Sequence, residues 1–94
     1  MHFADITPQH TKAARMLLGW SQGDLAEKAA IGGSTVKRLE AKPEAMVKAD
    51  LSTKAALFNA LSGAGIEFSN GGEPGARLRS KPQPLATIQP GAGE

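Results

Sequence analysis

The stretch Ser21–Glu40 leaves the chain few ways to fold, because it encodes two short amphipathic helices separated by a brief turn. Ser21 is a helix N-cap: its hydroxyl accepts a bond from an N–H group that a helix start leaves unpaired. Asp24, three residues on, reaches back toward the cap, although Asp is short for this and the capping box is expected to be imperfect. Trp20 before the cap and Leu25 after it have the spacing of a hydrophobic staple. Leu25, Ala26 and Ala29 then share one face. After the turn Ala30-Ile31-Gly32, apolar residues recur at helical spacing at Val36 and Leu39. Ala26 is small, as a steep crossing of two helices at a short turn requires. The pattern predicts helices over Gln22–Ala29 and Gly33–Ala41.

The flanking sequence extends this helical pattern. Thr7-Pro8 opens a first helix, with Thr as cap and Pro at a position whose N–H is dispensable. That helix runs to about Leu18, with Ala13, Ala14 and Leu17 inward, joined by Met16 and Leu18, and Gly19 ends it. Pro43 stops the third helix. The segment 43–49 reads as a linker with room for one helical turn. From Asp50 to Gly63 the chain is helical again, on a stripe of Leu51, Ala55, Phe58 and Leu61 with Leu57 beside it. Ile66-Glu67-Phe68 alternates as a short strand does, and Ala76-Arg77-Leu78 returns as a second after a turn rich in Gly and Pro. The expected fold is mainly α: four to five helices plus a C-terminal two-stranded hairpin, one domain over residues 7–79. Residues 1–6 are expected to be a flexible lead-in. Residues 80–94, with Pro82, Pro84 and Pro90, are expected to be a disordered tail.

Composition narrows the function classes. At 94 residues the chain holds one domain at most. It has no cysteine, hence neither disulfides nor thiolate metal sites, which fits a reducing cytoplasm. Met1–Asp5 lacks the basic and apolar regions of a signal peptide, and no apolar run approaches membrane-spanning length. The only histidines are His2, in the lead-in, and His10, in a first helical turn where it is expected to be solvated. No spacing suggests a nucleophile with its base, a metal site or a phosphate loop. The reading is therefore of a non-enzyme without cofactor or metal. The net charge of +2 matters less than its distribution. Lys37, Arg38 and Lys42 cluster on and after the third helix, and Arg77, Arg79 and Lys81 near the end; both groups have the charge to follow a phosphate backbone.

Leu18–Gln22, Asp24–Ala29, Ile31 and Ser34–Glu40 together resemble the helix-turn-helix of the lambda-repressor-like (XRE) family of bacterial and phage regulators. Gly65–Phe68 and the run Gly71 to Leu78 resemble the tail of a proteobacterial subgroup with two short strands after the helical core. The resemblance covers roughly Thr7 to Arg79. It implies a transcriptional regulator, a repressor or autoregulator, that binds double-stranded DNA as a cytoplasmic homodimer. It places Gly33, Ser34 and Arg38 at base-reading positions, with Thr35 and Lys37 beside them. Gln22 matches a phosphate-gripping position at the start of a helix, where an anion is favoured in any case. Lys42 is a backbone contact by its place just past the third helix. Arg15 is implied to pair with Glu40.

Structural alternatives stand beside these roles. Ser34 and Thr35 can serve as caps, and Arg38 can pair with Glu27 or Glu40. The family usually has Gly where this chain has Ala30, and a left-handed residue there would carry a Cβ at a cost of about 1–2 kcal/mol. Gly32 replaces the usual hydroxyl cap, and Gly33 a larger polar residue, so a frayed helix start and modest specificity are expected. A second functional reading keeps the fold but binds a protein partner, as an antitoxin or anti-activator does. The dimer surface is left to the last helix or to the hairpin.

Overall fold

A computed structural model describes residues 2–69 and 75–79. Within them the order is a 3-10 turn Phe3–Asp5, then α1 (Pro8–Leu18), α2 (Gln22–Ala29), α3 (Gly33–Ala41), α4 (Pro43–Lys48), α5 (Leu51–Gly63), β1 (Ile66–Ser69) and β2 (Gly75–Leu78). The chain is mostly helical, with one antiparallel two-stranded sheet in the register Ile66↔Leu78, Glu67↔Arg77, Phe68↔Ala76 and Ser69↔Gly75. Where a linker with one helical turn was expected, α4 takes up nearly the whole segment. The expected tail 80–94 lies outside the described residues, as do Lys81 and the centre of the hairpin turn, 70–74. Among the described residues, no helix is long and apolar enough to cross a membrane.

The local signals act where the sequence puts them. Thr7 caps α1, and Gly19 ends it at φ +71°, a conformation that suits a residue without Cβ. Ser21 and Asp24 close a full capping box: Asp24 N–H donates to Ser21 Oγ at 3.0 Å and Ser21 N–H to Asp24 Oδ2 at 2.9 Å. The short Asp thus suffices. α3 begins at Gly32 with no side-chain cap, so neither Ser34 nor Thr35 has the capping role.

The core centres on Leu25, Val36, Leu39, Met46, Leu57 and Leu61, with Ala14 and Ala26 at close helix contacts. Three expectations change. Met16 and Leu17 are 83% and 45% exposed, because Ala14, His10 and Thr11 fill the inward face of α1 instead. Leu51 is 59% exposed, and the buried line of α5 runs through Lys54, Leu57 and Leu61. Lys54 is tolerated there because its ammonium donates to the Val47 carbonyl at 2.9 Å, at the C-terminal end of α4 where a cation is favoured. In the lead-in, Ile6 is buried at 3% exposure and the 3-10 turn rests on α5.

His10 is fully buried rather than solvated. Its Nδ1 accepts the Thr7 N–H at 3.0 Å, while Thr7 Oγ1 accepts the His10 N–H at 3.3 Å, so a histidine completes the α1 capping box. With Nδ1 an acceptor, the proton belongs on Nε2, which donates to the Ser69 carbonyl at 3.1 Å. Phe68 sets its ring edge-to-face with His10 and leans on Phe58, each at a centroid distance of 5.4 Å. An isolated hairpin is marginal in water; this one is held by β1 against α5 and β2 along α1.

Ala30 ends α2 at φ 59°, ψ 42°, the left-handed region. Its Cβ strain is of the order of 1–2 kcal/mol, partly offset by the unfolded-state entropy that glycine would add. Ala30→Gly is expected to raise the unfolding free energy by about 0.5–1 kcal/mol, measured by urea denaturation. A loss of stability would show that the strain is absent.

Candidate nucleic-acid interface

α3 is fastened from behind. Val36 and Leu39 are each 1% exposed and pack toward α2, which leaves Gly33, Ser34, Lys37 and Arg38 exposed and Thr35 half-buried. Lys42, exposed just past the helix, continues the positive side. The six positions therefore line one helix and its exit. From Ser34 to Lys42 the helical rise spreads them over roughly 12 Å.

The only acid on α3, Glu40, is removed from this surface. It is 2% exposed. Arg15 donates to it twice, Nε to Oε2 at 3.0 Å and Nη2 to Oε1 at 2.7 Å. Gln22 Nε2 donates to Oε1 at 3.0 Å. The Arg15 fork also reaches the Trp20 carbonyl from Nη1 at 3.3 Å. One carboxylate thus joins α1, the start of α2 and the end of α3. Burial alone would push its pKa up; the hydrogen bonds from Arg15 and Gln22 and the Arg15 charge outweigh this and hold it below the ordinary glutamate range. The pair with Arg15 is the one that the family resemblance implies.

Two consequences bear on the site. With Glu40 occupied, it is no partner for Arg38, and among the described residues no acid or acceptor engages the Arg38 guanidinium. Gln22, by contrast, is not a free side chain: its amide nitrogen is turned to Glu40, leaving the amide oxygen and the N-terminus of α2 as what it can offer. The structure brings Gln22 to the C-terminal half of α3, away from Gly33, Ser34 and Thr35.

The second basic group is more occupied. Arg77 pairs with Glu67 across the hairpin, and Arg79 Nη2 donates to the Ser62 carbonyl at 3.2 Å. These contacts neutralise or anchor side chains that α3 leaves free. Sequence reasoning missed His10 and the tie between Gln22 and Glu40. The first carries a trace in the sequence, a hydrogen-bonding residue three places after a Thr cap; the second has none, because it depends on where α2 and α3 meet. Among the described residues, no cluster of His, Cys, Asp or Glu is arranged to hold a metal ion. The sequence matches no protein-family model and no curated protein.

The lowered Glu40 pKa sets the sign of a pH effect. A carboxyl depressed in the folded state contributes stability above its unfolded value, about 4.3, and loses it as pH falls through the folded value. Glu40→Gln is expected to cost about 3–5 kcal/mol near neutrality, where it strands Arg15. It should also flatten the acid limb, so that the stabilities of the two proteins approach each other as pH falls from about 4.3 through the folded value of Glu40. Urea midpoints measured across that range check both; parallel pH profiles would show that Glu40 is not the titrating group.

Proposed function

We propose that this protein is a sequence-specific double-stranded DNA-binding regulator of transcription, a lambda-repressor-like helix-turn-helix protein that reads the major groove with α3. The observation that carries the reading is the outer face of α3, which presents hydroxyls, an amine and an unpaired guanidinium with no exposed acid among them. An α-helix fits the major groove, and side chains near its start meet base edges there. Arg38 is the principal reader, since its planar fork donates twice to a guanine edge. Gly33, Ser34 and Thr35 approach the bases closely. Lys37 and Lys42 meet phosphates, and the α2 N-terminus with Gln22 meets another.

The bare start of α3 fits this use. Gly32 and Gly33 leave its first N–H groups uncovered, and nothing lies within 4 Å of where a Gly33 Cβ would stand. A duplex can approach the backbone there without displacing a side chain. One module of this size touches few bases, so useful specificity comes from two copies on half-sites about 34–36 Å apart. The protein acts as a homodimeric repressor or autoregulator in the cytoplasm, without enzymatic activity or cofactor.

Selection of bound sites from random duplexes tests the class, and a palindromic consensus is the expected outcome. On that site Arg38→Ala is expected to relax discrimination at one base position by about 1–3 kcal/mol. Lys42→Ala should weaken all sequences alike and lower the salt slope by about one. Binding without sequence preference or salt dependence would instead favour the protein-interaction reading, an antitoxin or anti-activator on the same scaffold.

A further inference from the structure

Two helices that open on proline meet at one cleft. Pro8 stands at the start of α1 and Pro43 at the start of α4. Both line a cavity of about 390 Å³, together with Ile6, Met46 and Val47. Proline at a helix start presents a ring where other residues present an N–H group, so these walls are apolar where helix ends are usually polar. The volume lies within the range of small-molecule sites, about 300–1,000 Å³. The lip is an apolar side chain left in water: Val47 is 72% exposed. It is also fixed in place, because Lys54 Nζ donates to the Val47 carbonyl at 2.9 Å and Met46 beside it is buried.

The free polar groups of the cleft are donors. Gln9 and Lys12 line it from α1, three residues apart and therefore on one side of the helix. Among the described residues, the Lys12 ammonium has no acidic partner and the Gln9 N–H has no acceptor. Glu40 is the only acid in the lining, and its charge is met by the Arg15 fork, with Gln22 on Oε1. A cation therefore finds no free carboxylate, whereas a carboxylate finds an amine and an amide. We propose that this cleft binds a small apolar carboxylic acid, straight-chain or aryl-substituted. Its carboxylate meets Lys12 and the Gln9 N–H, and its hydrocarbon part lies between Pro8, Pro43, Met46 and Val47. The α1 N-terminus adds to the preference for an anion, but the apolar walls and the unpaired amine define the site. Those walls come from α1, the end of α3 and α4, so a seated acid touches three helices and stabilises the fold by mass action. The site does not depend on α3 as a DNA reader, and either can fail alone.

Titration of the isotope-labelled full chain with hexanoate, octanoate and phenylacetate, followed by amide chemical shifts, is the primary test. At least one acid is expected to give saturable shifts centred on Gln9, Lys12, Ala41 and Val47, and to raise Tm with concentration. Octanol and octylammonium carry the octanoate tail with no charge and with the opposite charge. Exposed ion pairs contribute little, so octanoate is expected to bind about three- to fivefold more tightly than octanol, and octylammonium more weakly than either. Lys12→Gln should remove the margin over the alcohol and leave the affinity for the alcohol unchanged. Val47→Ala withdraws two methyl groups from the lip and should weaken acid and alcohol alike, by about four- to fifteenfold. Both positions are exposed, so both variants should keep the helical circular-dichroism spectrum. Absence of saturable shifts with all three acids overturns the proposal. So does saturation centred elsewhere, for example on the exposed Met16 and Leu17, equal affinity for octanoate and octylammonium, or binding that neither substitution changes.

Discussion

The Glu40 carboxylate is the constraint on which the arrangement of the first three helices depends. Taking an ionised group out of water is expensive, and it is tolerated only when donors fill its oxygens. Here they come from α1 and α2, through Arg15 and Gln22. Apolar packing between Leu25, Val36 and Leu39 supplies cohesion but little direction, since hydrophobic attraction is not oriented. A forked guanidinium on a carboxylate is oriented to within a fraction of an ångström. The network therefore fixes the roll of α3 about its axis, and with it which side chains point outward. It also takes the one acid of α3 off the surface, so the same residue sets geometry and sign of charge.

α3 itself is locally weak and held from outside. Its N-cap is Gly32, no side chain satisfies its first N–H groups, and the preceding turn places Ala30 in a left-handed conformation. Each feature lowers intrinsic helix stability. What compensates is tertiary: Val36 and Leu39 in the core, and Glu40 in the network at the far end. A helix secured at its back and its C-terminal half, with an open start, suits a surface that a rigid ligand must approach closely. Residues that would stabilise the start by capping would also stand between the backbone and that ligand.

Legibility in the sequence follows the range of the interactions. Caps, stops and turns are local, and Thr7, Ser21, Gly19 and Pro43 act at the positions their chemistry indicates. Both strands follow from alternation over a few residues. What escaped depends on contacts distant in the chain. Leu17 has the spacing of a core residue on α1 but lies on its outer side, because His10, Thr11 and Ala14 take the inward face. His10 reads as a surface residue of a first turn, yet β1 arrives over it and offers it the Ser69 carbonyl. α5 defeats a single-stripe reading because α2, the 3-10 turn and β1 all pack on it. At the candidate interface, exposure of Ser34, Lys37 and Arg38 was readable from the anchors between them. The engagement of Gln22 was not, because its partner lies 18 residues away.

α1 couples the two ends of the proposed machine. One flank gives Arg15 to Glu40, and another, roughly a third of a turn away, gives His10 to the hairpin. A helix of 11 residues barely bends over its length. The position of the hairpin relative to the α3 face is then set by packing through one helix and not by a loop.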